Sequence, residues 1–563
     1  MYKRVFQGKL EEKSILKMKT KFITLIIALF YFNPLFSQDQ SGTGILNLNK
    51  PERLEWFQDA GFGMFIHFSF DSQLGIVISH SMVGASEDYL DRFINELPQT
   101  FNPKNFSAED IAVLAKIAGM KYIVLTTKHH SGFCLWDTKT TDFNIMNTPY
   151  GKDLVNEYVE AVRAQGLGVG FYFSPEDFNF LHEQKQTVRR RFPEPLSESI
   201  MEKYLDLTEK QLTELMSNYG KIDVLFFDGG EGPLQEKSKE VCWDIQPDVL
   251  VTRGAMLTPE QFVPGLAIDE PWEGNLTMGT QWQYKPTNDN YKSGTRLIEV
   301  LIETRAKGGT QLLNVGPKPN GELPDEQEER IREVAAWTFI NRESIESVRP
   351  WIITNEENIW FTRKKDASTV YAYITKLPDW PRGERKEFVL KSVKATKNTK
   401  VSILGQTGEV VEYNPDADGK TYFEQKENGL HISCVRAHRI YNNHKWHNPI
   451  VIKLENVEQA LDPPFVKTLK ETKNNGMVVL NGEVLKTGDA EEISVGFEYR
   501  PYLGFAEALY AGEWKKTELL NPKNKKTFQV ELSELEKGKE YEFRAIIIHP
   551  QIVVPGDVLR FKF

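Results

Sequence analysis

The sequence runs to 563 residues, of which 40% are hydrophobic, 12% aromatic and 26% charged. At roughly 100–200 residues per domain that is material for several packed cores, and it excludes a disordered, collagenous or multi-span membrane chain. The formal charge is −10; residues 1–37 hold seven basic and two acidic side chains, so the remainder carries 62 basic against 77 acidic, a balance of −15, which repels phosphate and argues against nucleic acid or anionic lipid as partners.

In chain order, Lys17, Lys19 and Lys21 precede an apolar run from Phe22 to Phe32, then Pro34 and Ser37 before Gln38. This is the pattern of an export signal over residues 1–37, with Met18 as an alternative start, a periplasmic or secreted product, and no membrane span in the mature chain. A retained signal anchor is the competing reading. Cys134, Cys242 and Cys434 are too few and too dispersed for a disulfide framework or a CxxC metal site.

From about residue 45 to 347 short apolar runs alternate with amphipathic stretches. Strands are expected at Gly63 to Phe68, Tyr122 to Thr127, Val169 to Phe173, Val224 to Phe227 and Val249 to Thr252, with weaker candidates at Leu266 to Asp269 and Gln311 to Val315. Helices are expected at Ala108 to Ala118, Lys152 to Gln165, Ser197 to Tyr219, Thr295 to Lys307 and Asp325 to Arg342. Continuous apolar strands alternating with helices imply an α/β domain with a parallel sheet, and about eight repeats fit a (β/α)8 TIM-like barrel better than an open doubly wound sheet. No GxGxxG follows the first strand and no GxxxxGK[ST] occurs, so nucleotide-binding versions of the open sheet lose support. The acids after Pro324 complement a helix N-terminus.

After Arg349-Pro350 the texture becomes all-β. A β-sandwich is expected over 348–450 and a second, C-terminal β-sandwich of loose fibronectin type III character over 458–563, beginning after Asp462-Pro463-Pro464.

Active sites of parallel barrels form at the C-terminal strand ends, so polar residues that close apolar runs are the candidates. These are His67, the pair His129-His130, Tyr172 with Ser174, and Asp228, which is followed by Gly229-Gly230. Histidines and a carboxylate at one mouth fit either a metal hydrolase or a glycosidase. HExxH is absent, and adjacent histidines leave a strand on opposite faces. Trp136, Trp272, Trp282 and Tyr284 are available to cover a sugar ring, although tryptophans are more often core.

The segments Trp56-Phe57 to His67, Thr127-Lys128-His129-His130-Ser131-Gly132-Phe133 with Trp136, Phe226-Phe227-Asp228-Gly229, and Asn314-Val315-Gly316-Pro317 with Gln327-Glu328-Glu329-Arg330 together resemble the α-L-fucosidases of glycoside hydrolase family 29. The resemblance implies a retaining exo-α-L-fucosidase acting on fucosylated oligosaccharides or polysaccharides, without cofactor or metal. Its nucleophile would be Asp228 and its acid/base Glu273 of the Trp272-Glu273 pair, with Glu270 as the alternative. It implies that His67, His129, His130, Trp136, Tyr172, Arg253 and Trp282 surround the sugar, Arg253 holding Asp228 ionised.

The chain departs from the family pattern at Phe68-Ser69, at Ser131, at Gln283, and around Glu87, whose flanks do not match a pocket glutamate. These departures leave linkage, sulfation or a related sugar such as galactose open. A non-catalytic carbohydrate-binding protein on the same barrel is the rival reading. Asn275-Leu276-Thr277 is a glycosylation sequon beside Glu273, expected to stay unmodified.

Overall fold

The computed structural model describes residues 46–563 apart from 191–194, 231, 378–379, 381–382, 410–415, 437–447, 475–476, 505–511, 524 and 534. The export signal expected over 1–37 lies outside the described residues, and among those described no helix is long and apolar enough to cross a membrane.

Seven strands, β1 Phe62–Ile66, β2 Tyr122–Lys128, β3 Gly168–Phe173, β4 Val224–Phe227, β5 Leu250–Val251, β6 Glu273–Thr277 and β7 Thr310–Val315, make one curled parallel sheet in the order β5-β4-β3-β2-β1-β7-β6. Helices follow in the connections: α1 Pro51–Ala60 ahead of β1, then α2 Ala108–Ile117, α3 Leu154–Ala164, α4 Glu198–Asn218, α5 Pro233–Ile245, α6 Gly294–Ala306 and α7 Asp325–Asn341. Local chemistry sets their starts. The side chains of Ser107, Asp153 and Ser293 accept the orphan N–H groups of Asp110, Asn156 and Arg296. The helix α1 opens on Pro51 and stops at Gly61, whose φ of 68° suits glycine.

Side chains divide by strand alternation. Outward residues such as Leu225, Phe227, Ile123 and Leu125 pack under the helices, while Phe65, Tyr122, Val124, Tyr172, Val224, Phe226 and Leu312 fill the interior with Phe57 and Ala60 of α1. Eight repeats were expected, and the structure shows seven parallel strands among the described residues. The gap between the end strands β5 and β6 is filled by residues 257–261, which run parallel to β6 through the bridges Leu257–Trp272 and Glu260–Asn275. Leu266 to Asp269, expected as a strand, is not one; the sixth strand starts at Glu273.

The rest is antiparallel. A five-stranded sheet and a three-stranded sheet, built from β8 Val348–Glu356, β9 Ile359–Lys364, β10 Val370–Ile374, β11 Arg385–Leu390, β12 Val393–Ile403, β13 Tyr422–Lys426, β14 Gly429–Val435 and β15 Ile450–Gln459, share one core around Phe361, Leu390, Ile432 and Ile452. The terminal region consists of β16 Phe465–Asn474, β17 Met477–Lys486, β18 Ser494–Pro501, β19 Lys515–Lys516, β20 Thr527–Leu532, β21 Glu540–Ile548, β22 Val553–Pro555 and β23 Leu559–Lys562. Its own core gathers Leu480, Phe497, Phe543 and Ile547. Ile552, just before β22, is buried in the preceding region's core instead. All of these elements belong to one compact unit spanning Leu46–Phe563.

Candidate active site

Inward and outward positions alternate along β4, so Val224 and Phe226 face the interior and Asp228, the next inward position, emerges at the mouth. Gly229 follows with φ 77°, and a Cβ there would lie 2.7 Å from Cδ of Glu176, so glycine alone lets that carboxylate close against the turn. Tyr172 donates its hydroxyl to Oδ2 of Asp228 at 2.9 Å, and Arg253 donates Nη1–H to Oδ1 at 2.9 Å. The Arg253 guanidinium lies 4.7 Å from the centroid of Phe226, an apolar floor that screens it poorly. Burial pushes the Asp228 carboxyl up, but Arg253 overrides it and leaves the group well below the usual carboxylate range.

The other nitrogen of that guanidinium, Nη2, donates to Oε2 of Glu260 at 3.0 Å, and Nε donates to Oγ1 of Thr258 at 3.2 Å. One arginine therefore holds two carboxylates, Asp228 at a strand end and Glu260 on the segment that fills the β5–β6 gap. A third carboxylate, Glu176, takes Nε–H of Arg190 at 3.2 Å, and burial raises its pKa.

The three expected histidines converge, and their hydrogen-bond chains assign their tautomers. Asn314 donates Nδ2–H to the Trp282 carbonyl at 2.6 Å, so its Oδ1 accepts Nδ1–H of His67 at 2.6 Å and the His67 Nε2 lone pair is left as an acceptor. Nδ1 of His129 accepts the His130 backbone N–H at 2.9 Å, which puts a proton on Nε2. Ser174 donates to the Glu176 carbonyl at 2.9 Å and accepts Nδ1–H of His130 at 2.6 Å, leaving His130 Nε2 without a hydrogen-bond partner, 3.6 Å from Asp228 Oδ2. Burial keeps all three rings neutral at pH 7: His67 is lowered to about 4, His130 to about 3 and His129 well below its ordinary value. The mouth thus offers an imidazole acceptor, His67 Nε2, and a donor, His129 Nε2, a mixed set suited to hydroxyl groups, which both give and accept, while His130 Nε2 is buried. The Trp282 ring lies 4.9 Å from His67, in place to cover a ligand.

His129, His130 and Asp228 bring one potential ligand atom each within 4.8 Å of one another, the one such group among the described residues. Asp228, however, already carries a guanidinium at 2.9 Å, and a divalent ion on the same carboxylate would face that charge.

Three expected residues do not reach this mouth. Glu273 is the first residue of β6, in register with Thr310, four positions before the pair Thr277–Asn314 that borders His67. At about 3.3 Å per residue this is about 13 Å of strand. It is fully buried, takes the Tyr122 hydroxyl on Oε1 at 2.6 Å, and lies with the interior residues above α1, so burial lifts its pKa to about 7. Glu270 is exposed and precedes β6, farther still from the strand ends. Trp136 is fully buried under the helices and donates to Glu214 of α4 at 2.9 Å. The sequon is sealed within β6, Asn275 having no exposed surface. Glu87 is on the surface, 3.9 Å from His182.

Sequence reasoning missed Glu260, Glu176 and Arg190. Arg253 was an expected neighbour of Asp228, and the Thr258-Pro259-Glu260-Gln261 run that its far side grips carries no periodic signal.

The family model described as alpha-L-fucosidase matches residues 35–343, and the one described as alpha-L-fucosidase C-terminal domain matches 354–454. The alpha-L-fucosidase of Dictyostelium discoideum is 28% identical over 433 residues, 69% of this chain and 91% of the relative. The tissue alpha-L-fucosidase of Mus musculus is 29% identical over 398 residues, 63% of this chain and 84% of the relative. Among solved structures, alpha-L-fucosidase isoenzyme 1 from Paenibacillus thiaminolyticus superposes with a TM-score of 0.58 at 29% identity, covering 72% of this chain and 99% of that one. The Thermotoga maritima alpha-fucosidase superposes with a TM-score of 0.56 at 25% identity, covering 71% and 96%.

Proposed function

The chain belongs to the alpha-L-fucosidase family, glycoside hydrolase family 29, and from that premise we propose an exported exo-acting enzyme that removes terminal α-L-fucosyl residues from glycans with retained configuration. As a glycoside hydrolase of this family it cleaves an acetal, which calls for two carboxyl groups. The observation that carries the mechanistic reading is the Arg253 bridge between Asp228 and Glu260. Two oxygens held by one guanidinium lie within about 8 Å, a span that includes the roughly 5–5.5 Å of a retaining pair.

In this reading Asp228, held ionised by Arg253, attacks the anomeric carbon as the C–O bond to the leaving group breaks, giving a fucosyl-enzyme. Glu260 serves as the acid/base, giving a proton to the departing oxygen and then taking one from the water that cleaves the intermediate and returns Asp228. Glu260 takes the acid/base role that the sequence assigned to Glu273, because Glu273 opens β6 and is buried against the Tyr122 hydroxyl. His67 and His129 hydrogen-bond the sugar hydroxyls, with Trp282 against the ring. The curled sheet with its 257–261 filler is read as the (β/α)8 barrel over 45–347, followed by the β-sandwiches expected over 348–450 and 458–563, with β15 carrying the first on to Gln459.

Asp228→Gly tests the assignment. Turnover of an aryl α-L-fucoside should fall about 10,000-fold or more and return with azide, which yields the inverted β-fucosyl azide. With the parent enzyme, NMR during the first turnovers should show α-L-fucose before mutarotation. A β-first product, or an active Asp228→Gly variant without azide, would remove Asp228 as nucleophile.

A further inference from the structure

The two family matches end at residue 454, so the terminal region, β16–β23, lies beyond what they describe. Among the described residues it meets the barrel at the long connection between β5 and β6 that carries Glu260, and beside the end of α6 at Glu303 and Lys307. That connection has no helix or strand of its own, and a catalytic group on such a stretch needs support to stay within about 1 Å of its working place.

On its inner side the support is visible. Gln261 N–H bonds the Asn275 carbonyl at 2.8 Å, Asn275 N–H bonds Pro259 at 2.9 Å, and Gln261 Nε2 bonds Thr277 Oγ1 at 2.9 Å. Four residues on, Lys307 at the end of α6 donates Nζ–H to the Pro264 carbonyl at 2.6 Å. On its outer side the turn between β22 and β23 closes against the connection. A Cβ on Gly265 would meet the Val558 nitrogen at 2.8 Å and Asp557 Cα at 3.1 Å, so the two backbones touch with no side chain between them. Arg560 spans the same seam. Its guanidinium lies 4.0 Å from the ring centroid of Tyr502, within the terminal region, and 5.6 Å from that of Phe262, two residues past Glu260.

We propose that the terminal β region is a positioning element for the acid/base, with Arg560 clamping Phe262 and the 557–558 turn backing Gly265 so that Glu260 keeps its place on Arg253. The proposal rests on the reading of Glu260 as acid/base. The region is thereby part of the catalytic apparatus rather than a tethered sugar-binding module.

The test uses the full chain and two fucosides that differ only in the leaving group: a dinitrophenyl fucoside, which departs without a proton, and a methyl fucoside, which needs one. Arg560→Ala and Phe262→Ala should lower kcat/KM on the methyl fucoside about tenfold and on the dinitrophenyl fucoside less than about twofold. Arg560→Lys, which keeps a cation over the rings, should recover most of the loss. In a Glu260→Gln background Arg560→Ala should add nothing to the leaving-group dependence. Retained activity on the activated substrate certifies the fold. If Glu260→Gln shows strong leaving-group dependence while Arg560→Ala and Phe262→Ala lower both substrates equally or neither, the positioning role is overturned and the acid/base reading stands. If Glu260→Gln shows no leaving-group dependence, the acid/base reading falls, and the proposal with it.

Discussion

Two carboxyl groups inside the same barrel, Glu273 at the start of β6 and Asp228 past the end of β4, have been driven in opposite directions by their surroundings. Among the described residues Glu273 is met only by neutral hydroxyls, those of Tyr122 and Thr252, so burial outweighs them and the pKa climbs to about 7. Asp228 is screened nearly as well, its side chain 22% exposed, yet Arg253 and Tyr172 hold both oxygens and the group stays ionised. A proton-holding acid in the interior is thus easy to produce and says little about catalysis. What separates the mouth from the floor is a charged partner shared with a second carboxylate, and an opening toward solvent.

Glu260→Gln should produce the largest change that separates the two regions. Turnover of a natural glycan should fall roughly 100- to 10,000-fold, the range for removing a general acid, while kcat/KM on a dinitrophenyl fucoside holds. Azide should accelerate the variant by attacking the accumulated intermediate. If Glu273→Gln shows this signature instead, the floor and the mouth have been assigned the wrong way round.

Arg253→Met should come next, at about 100-fold in kcat/KM, comparable to losing an electrostatic stabiliser in other active sites. Its sharper readout is the acid limb of the kcat/KM profile. As the proposed nucleophile Asp228 must be ionised, and without the guanidinium burial dominates and raises its pKa, so activity should disappear at a higher pH than in the parent. An unmoved acid limb would show that Arg253 does not set the charge of Asp228. Tyr172→Phe removes one hydrogen bond to a charged oxygen, and about a tenfold loss on both leaving groups is expected.

The same contrast explains what was legible in the sequence. Asp228 was found because it closes an apolar run, Val224 to Phe227, and is followed by glycines. β6 was missed because its inward residues Glu273, Asn275 and Thr277 are polar, so Glu-Gly-Asn-Leu-Thr has no strand-like apolar face even though every residue is buried. Reading it as a loop beyond a strand moved Glu273 from floor to mouth. Trp136 was misplaced for another reason. After β2 the chain doubles back through the Lys128–Cys134 bridge, which carries the indole under α4, and a local reversal of this kind leaves no periodic trace. Glu260 had no pattern to betray it, since its role exists only in the contact with Arg253.

The smallest expected effect on activity belongs to Glu273→Gln, and it is the most telling about stability. Glutamine keeps an acceptor for the Tyr122 hydroxyl and removes the titration, placing a neutral amide NH2 where Oε2 stands. In the folded parent Glu273 releases its proton near pH 7, against 4.5 in the unfolded chain. Between those values the folded state binds the extra proton, so stability is full below pH 4.5, declines as pH rises through the window, and is lower by about 3 kcal/mol above it. The buried His67, His129 and His130 act in the opposite sense, destabilising the fold as pH falls below their unfolded values, but they do so in parent and variant alike. The difference between the two proteins therefore isolates Glu273. Thermal unfolding should give nearly equal melting temperatures at pH 4 and a more stable variant at pH 8, with turnover within about twofold of the parent. A variant no more stable at pH 8 than at pH 4 would mean that Glu273 is not the buried, neutral floor carboxyl described above.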